Sequence, residues 1–173
     1  KDCLTSGTGR QIKTNKPCFI RKGVENDNNN SFIACLADLH VEYMDSETKV
    51  VPSISEMKQI IVDSISISKF VSYQNGTLVT VFNDRLLEVD DDKYRSSPIF
   101  KNIKSKNLDA YYQKIVSAFE NFKKYLLDPE SVIDYTYLWD IVSTPNPKLF
   151  PKGLNLVILN SISDCIEDKS ITP

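Results

Sequence analysis

Residues 23–39 read GVENDNNNSFIACLADL, and the change of character inside this stretch decides how the chain is interpreted. A run of Asn, Asp and Glu ends at Ser31, and apolar residues then recur at three- and four-residue spacing. That spacing is typical of a helix with one buried face and predicts a helix over residues 31–44. Asn29 or Asn30 is suited to cap this helix, because a short amide oxygen can accept an unpaired backbone N–H.

The overall composition is that of a globular protein. Hydrophobic residues make up 41% of the 173 residues, which is enough for a core and argues against wholesale disorder. The net charge of -2 gives no reason to expect nucleic-acid binding. The four cysteines are widely spaced and the chain has one histidine, so we expect neither a metal site nor a cofactor. With no signal peptide and no run of about 18 apolar residues, the sequence predicts a soluble intracellular protein without a membrane segment.

Three parts of the chain differ in their predicted organisation. Residues 1–15 are polar and read as an N-terminal arm, and residues 16–173 read as a single domain. Within it, the charged stretch at about 83–107 reads as an exposed insertion. The chain begins with Lys1 rather than Met, which predicts a piece excised from a longer protein.

Further elements follow from apolar periodicity and turn residues. Ser53 and Glu56 form a capping pair at the start of a second helix, and two more helices are predicted over residues 108–127 and 134–142. Asn75-Gly76-Thr77 matches a glycosylation sequon but is read here as a turn. Residues 77–82 have strand character, and the apolar run 154–159 reads as a central strand covered on both faces. The expected fold class is therefore α+β, with helices packed on a small central sheet.

The junction at Ser31 also has the backbone arrangement that papain-like catalysis uses. In such enzymes a thiolate opens a helix, where the macrodipole and the N–H groups lower its pKa and help to form an oxyanion hole. The ordinary alternative is a polar loop that precedes a buried helix and has no catalytic role. The single histidine, His40, lies on or beside the apolar face and is expected to be packed and hydrogen bonded rather than catalytic.

Residues 28–36, NNNSFIACL, resemble the motif Asp-Gly-Asn-Cys-Leu-Phe-Arg-Ala-Ile of the ovarian-tumour (OTU) deubiquitinases. The stretches YLWD and LNLVI, within residues 137–158, look similar to that family's later helix and strand. The resemblance implies a papain-like fold and a partner that is ubiquitin or another protein. It puts Ser31 at the position of the nucleophile and Asp27, Asn28 and Asn30 in the oxyanion turn.

The chain departs from the OTU pattern at the residues that would carry the chemistry. A serine hydroxyl lacks the readily lowered pKa of a thiol, and no glycine lies in the turn. The family's histidine follows the late strand, where this chain has none. The resemblance therefore implies a deubiquitinase-type module that acts on or binds ubiquitin but lacks a competent nucleophile, and whether it is an enzyme stays open.

A second resemblance concerns the context of the chain. The segments SFIACLADL and YLWDIVSTPNPKLFPKGLNLVIL look like parts of very large proteins of giant nucleocytoplasmic DNA viruses. This resemblance implies a location in the host cytoplasm or the virion. It also supplies the alternative function, a non-enzymatic interaction domain of a viral transcription or virion protein.

Overall fold

The structure, a computed structural model, describes residues 23–25, 27–44, 50–83, 92–104, 109–158, 160–161 and 171–172. Its α-helices are α1 (Ser31–Tyr43), α2 (Ile54–Ser64), α3 (Ile67–Phe70), α4 (Thr77–Val81), α5 (Pro98–Lys104), α6 (Asp109–Leu127) and α7 (Tyr135–Ser143). Short 3₁₀ turns span Tyr73–Gly76 and Asp92–Tyr94. Two strands of two residues each, β1 (Asn160–Ser161) and β2 (Ile171–Thr172), pair antiparallel. The predicted polar arm, residues 1–15, lies outside the described residues.

The expected α+β fold, with helices packed on a central sheet as in the papain-like proteases, is wrong for the described residues. They are helical, and β1 with β2 is too short to form a layer on which helices could pack. Residues 77–82 were predicted as a strand, but Thr77–Val81 form α4 and Phe82 is the C-cap residue that follows it. Leu78 is buried in the hydrophobic core, and this packing overrides the strand preference of Thr and Val here.

The predicted central strand over 154–159 is also absent among its described residues, 154–158. Leu154 is buried and its N–H donates to the carbonyl of Val142 at 2.8 Å, which attaches the segment to the end of α7. Val157 is 75% exposed, whereas a strand covered on both faces would bury it. The apolar run therefore follows the surface of the helical core.

Helix α6 is the centre of the core and was predicted over 108–127 from its spacing, which the structure confirms. Its buried residues are Tyr112, Ile115, Val116, Ser117, Ala118, Phe119, Phe122 and Leu126. Phe70 of α3 packs on Phe119 and Phe122, with ring centroids 5.2 and 5.4 Å apart. No helix in the described ranges is long and apolar enough to cross a membrane.

Two predicted helix starts are confirmed by their capping bonds. The Ser53 side chain accepts from the Glu56 N–H at 3.3 Å, and the Glu56 carboxylate accepts from the Ser53 N–H at 2.8 Å. Asp134 caps α7 by accepting from the Thr136 N–H at 2.7 Å. Because α7 carries residues of the groove described below, this cap sets where the groove begins.

The loop after α7 is held against the helix by close backbone packing. Gly153 has a φ of 71°, and a Cβ there would lie 2.1 Å from the Ser143 carbonyl oxygen. The buried Asn146 donates from its side chain to the Ser64 carbonyl at 2.9 Å, which joins this loop to the end of α2. These contacts keep α7 in a fixed position on the core.

Candidate functional site

The site predicted from the sequence lies in the turn that opens α1, and the structure brings its four residues together there. The Asp27 carboxylate accepts from the N–H groups of Asn29 at 2.9 Å and Asn30 at 2.6 Å. The Ser31 hydroxyl donates to the Asp27 carbonyl. The backbone hydrogen bond from Asn29 lowers the pKa of Asp27 most. Asn30 occupies the N-cap position of α1, but its side chain makes no capping hydrogen bond, and the Asp27 carboxylate closes the turn before the helix.

This turn is fastened to the loop that follows α6. The Asn29 carbonyl accepts from the Ile133 N–H at 2.9 Å. Beside the turn, Lys58 is only 4% exposed and donates to the Asp128 carbonyl at 2.8 Å. Burial lowers the pKa of Lys58, while Asp128 and Asp27 act in the opposite direction. The geometry is that of a polar joint between α1, α2 and the loop after α6.

No described residue can activate the Ser31 hydroxyl. His40, the one histidine of the chain, lies nine positions further along α1, which is about 13 Å at 1.5 Å per residue. Its Nδ1 is 2.9 Å from the Leu149 carbonyl oxygen and its ring meets Phe150 edge to face, as expected for a packed histidine. Asn28 is exposed, and the side-chain oxygen of the buried Asn30 has no hydrogen-bond partner among the described residues.

The thiol of Cys35, one turn into α1, is also not activated. Cys35 is exposed, but partial desolvation raises its pKa and the carboxylate of Asp38 raises it further. A raised pKa keeps the sulfur protonated and weakly nucleophilic. Within the described residues no group of three His, Cys, Asp or Glu side chains could hold a metal ion.

A second candidate site is an open groove of about 800 Å³ between α7 and the turn after α3. Ligand sites typically have volumes of about 300–1,000 Å³, so the groove is of suitable size. We call it the aromatic groove. Its lining residues are Lys69, Ser72, Tyr73, Gln74, Asn75, Tyr135, Thr136, Trp139, Asp140 and Thr144.

One wall of the aromatic groove is a strained left-handed turn. Gln74, Asn75 and Gly76 have φ angles of 49°, 55° and 87°. The left-handed region disfavours residues with a Cβ, and such residues keep it only where their surroundings hold them there. Here α7 holds the turn, since the Gln74 N–H donates to the Asp140 carboxylate and the Gln74 side-chain amide donates to the Thr136 carbonyl.

The opposite wall of the groove presents two aromatic side chains of α7. Tyr135 and Trp139 are four residues apart, so they share a helix face, and they are 38% and 39% exposed. At the groove floor, burial raises the pKa of Tyr73 and the carboxylate of Asp140 raises it further. The lining holds one cation, Lys69, and one anion, Asp140. An exposed aromatic pair beside a fixed polar turn is suited to binding.

Reasoning from the sequence missed this groove, although two signals for it exist. Asn75-Gly76 was expected to be a turn, which the structure confirms, but a turn sequence alone does not reveal a left-handed geometry held by α7. Leu138, Ile141 and Val142 form the buried face of α7, and the aromatic pair lies off that face. The position of Tyr135 and Trp139 off the buried face could have been inferred from their spacing relative to Leu138, Ile141 and Val142.

The strongest charge network of the described residues lies elsewhere and is structural. Burial opposes ionisation of Glu120, but hydrogen bonds from Lys93, Tyr94 and Lys123 outweigh it and lower the pKa of Glu120 to about 2. These bonds attach the Asp92–Tyr94 turn to α6. Since each partner is satisfied within the network, it offers nothing to a ligand.

Comparisons of the chain with protein-family models, curated proteins and solved structures give no significant match. The OTU resemblance and the viral context therefore stay predictions. What the chain does has to be argued from the two sites themselves.

Proposed function

We propose that this chain is a protein-interaction domain that binds an extended polypeptide in the aromatic groove. One observation carries the proposal: a left-handed turn is clamped onto α7 beside two exposed aromatic side chains, Tyr135 and Trp139. The proposal agrees with the non-enzymatic alternative drawn from the sequence.

The energetics of the turn favour a role beyond stability. Two residues with a Cβ in the left-handed region cost about 1–2 kcal/mol each. The hydrogen bonds from Gln74 to Asp140 and Thr136 return about 1 kcal/mol each. The turn therefore contributes little net stability, and strain of this kind clusters at ligand clamps.

The aromatic pair supplies the affinity that such a site needs. Trp and Tyr are enriched among the residues that dominate binding energy at interfaces. Each offers a large apolar face and a polar tip, so a chain that covers Tyr135 and Trp139 gains both contact area and hydrogen bonds. Because the pair stands on a capped helix, little order is lost when a ligand binds.

The geometry does not favour the ubiquitin-directed hypothesis. Ser31 is held by the carbonyl of Asp27, and His40 is bonded to Leu149. A deubiquitinase-type activity, and the assignment to a viral protein, remain predictions that need evidence from outside the described residues.

Selection from an unbiased display library of random peptides tests the proposal. The wild-type chain is the bait, and Trp139→Ala is used for counter-selection. We expect enrichment of peptides that bind the wild type and bind the variant about tenfold or more weakly, because Trp139 is a central contact. Circular dichroism of Trp139→Ala checks that the helices are intact.

Binding can then be measured directly, since Trp139 is the one tryptophan of the chain and its fluorescence reports on the groove. Selected peptides should change its emission saturably. A library that yields no peptide, or only peptides that bind wild type and Trp139→Ala equally, contradicts the proposal.

A further inference from the structure

We infer that Asn75 is a deamidation site whose reaction is prevented while the left-handed turn stays clamped onto α7. The inference goes beyond the proposed function and does not depend on what the aromatic groove binds. It rests on three observations. Asn75 is followed by Gly76, its exposed side chain makes no hydrogen bond within the described residues, and its backbone angles prevent the reaction.

Deamidation is an intramolecular reaction between an asparagine side chain and the next peptide nitrogen. The Gly76 nitrogen bonds to the side-chain carbonyl carbon of Asn75, and the side-chain nitrogen leaves as ammonia with the proton of that N–H. The product is a five-membered succinimide, which water opens at one of its two carbonyls to give aspartate or isoaspartate. Glycine favours the attack, because it has no side chain to crowd its nitrogen. The chain contains one Asn-Gly pair, at residues 75 and 76.

The side chain of Asn75 is available for this reaction. Asn75 is exposed, so water can reach it. The side-chain hydrogen bonds of the turn are made by its neighbours: the Gln74 amide donates to the Thr136 carbonyl, and the Thr77 hydroxyl donates to the Gln74 carbonyl at 3.0 Å. The Asn75 amide has no such bond in the part of the chain that the structure describes, so it is free to rotate.

The backbone of the turn is what prevents ring closure. In a succinimide the following nitrogen is nearly eclipsed with the Cβ about the Cα–C bond. Asn75 has a φ of 55° and a ψ of 31°, and at this ψ the Gly76 nitrogen lies nearly opposite the Cβ. No side-chain rotamer brings the reacting carbon within bonding distance of that nitrogen, so the Cα–C bond must rotate first.

That rotation requires the turn to leave α7. The Gln74 N–H donates to the Asp140 carboxylate, and the Gln74 side-chain amide donates to a carbonyl of the same helix. On the other side of Asn75, α4 begins at Thr77 and its Leu78 is buried. Opening of the turn is a local event, since only these few contacts break. The deamidation rate therefore measures how often the turn opens, and each reaction records an opening permanently in the covalent structure.

Peptide mapping by mass spectrometry of the full chain, aged in mildly alkaline buffer, tests the inference. The reference is the free peptide VSYQNGTLVT, residues 71–80, in which nothing fixes the backbone. We expect Asn75 to deamidate about tenfold or more slowly in the folded chain than in the peptide. Asp140→Ala should speed the reaction about fivefold or more, because the Gln74 N–H loses its acceptor. Asp140→Asn keeps an acceptor oxygen and should react more slowly than Asp140→Ala.

Ser53→Ala is the matched control, since it removes the cap of α2 and lowers stability outside the turn and α7. Its Asn75 should deamidate at the wild-type rate, and circular dichroism checks the helices of every variant. If Asp140→Ala loses its helices, the comparison of Asp140→Asn with the wild type replaces it.

Three results overturn the inference. The first is an equal rate in the peptide and in the folded chain, and the second is an equal rate in the folded Asp140 variant and the wild type. The third is an acceleration by Ser53→Ala as large as that by Asp140→Ala, because the protection then comes from global folding and not from the contact with α7.

Discussion

Two asparagine-containing turns in this protein each lead into a helix, and they differ in how their polar groups are used. In the turn before α1, Asp27 accepts two backbone N–H groups and Ser31 bonds back to Asp27. Asn29 also bonds to the loop after α6, and the buried side-chain oxygen of Asn30 has no partner among the described residues. In the turn before α4, Gln74 and Asn75 adopt left-handed angles, and Gln74 makes its hydrogen bonds to Asp140 and Thr136 of α7, more than 60 positions away.

The difference shows which of the two turns is available for function. The turn before α1 has no positive φ among its described residues, and its internal hydrogen bonds are those of an ordinary polar turn. A turn that is strained, and held beside exposed aromatic side chains, is not explained by stability. The polar run at residues 25–30 draws attention in the sequence, but the groove has the properties of a binding site.

Removing Asp140 should have the largest effect on stability, because it leaves the Gln74 N–H without its acceptor. We expect Asp140→Ala to lower the free energy of unfolding by about 1–3 kcal/mol in urea titrations. Asp140→Asn keeps an acceptor oxygen in place and should lose less. If the alanine and asparagine variants lose the same amount, the hydrogen bond does not hold the turn.

Glycine substitutions in the two turns should change the free energy of unfolding in opposite directions. Asn75→Gly removes left-handed strain and should raise the free energy of unfolding by about 0.5–1 kcal/mol. Asn28 is not among the described residues with positive φ, so Asn28→Gly gains nothing and adds backbone entropy to the unfolded chain. Urea unfolding of both variants measures the contrast. Two changes of the same sign would refute the strain assigned to the Asn75 turn.

The two turns should also respond to opposite ends of the pH scale. The pKa of Asp27 is lowered in the folded protein. The stability that its carboxylate contributes is therefore present above pH 3.8, the ordinary pKa, and is lost as the pH falls below that value. The pKa of Tyr73 is raised in the folded protein. The stability that its neutral side chain contributes is therefore present below pH 10.0, the ordinary pKa, and is lost as the pH rises beyond that value.

The measurement compares thermal stability of matched pairs across pH. The gap between wild type and Asp27→Ala should close in acid and stay constant in alkali. Relative to the wild type, Tyr73→Phe should lose less stability above pH 10.0, since phenylalanine cannot ionise. Curves that run parallel throughout would show that neither pKa is shifted by folding.

The smallest expected effect concerns catalysis. Ser31→Cys installs the thiol of the OTU motif, but no described residue can deprotonate it and the chain's only histidine is engaged by Leu149. We expect no hydrolysis of a fluorogenic ubiquitin substrate above that of Ser31→Ala. Turnover by the cysteine variant would restore the enzymatic hypothesis.

Sequence periodicity was sufficient for the long helices and insufficient for the fold class. In α6, apolar residues at three- and four-residue spacing leave one possible buried face, so its position was predictable. Residues 77–82 are rich in Thr and Val, and their helical state depends on packing of Leu78 that no local pattern reveals. The apolar run from Leu154 was misread because an apolar strand and an apolar surface segment look alike in sequence.

The candidate site was less predictable still. An N-cap asparagine for α1 was foreseeable and Asn30 occupies that position, but its side chain makes no capping hydrogen bond and Asp27 closes the turn before it. The groove requires Gln74 to meet Asp140, and contacts at this separation are set by tertiary packing. Only the turn at Asn75-Gly76 could be recognised in advance.

Amide chemical-shift mapping of the isotopically labelled chain, titrated in parallel with a peptide selected from the display library and with ubiquitin, tests the central claim most directly. We predict that the selected peptide shifts the amides of residues 72–76 and 135–144 and leaves residues 27–32 unmoved, while ubiquitin shifts neither set. Shifts centred on residues 27–32 with either probe would contradict the claim that the aromatic groove, and not the turn before α1, is the binding site.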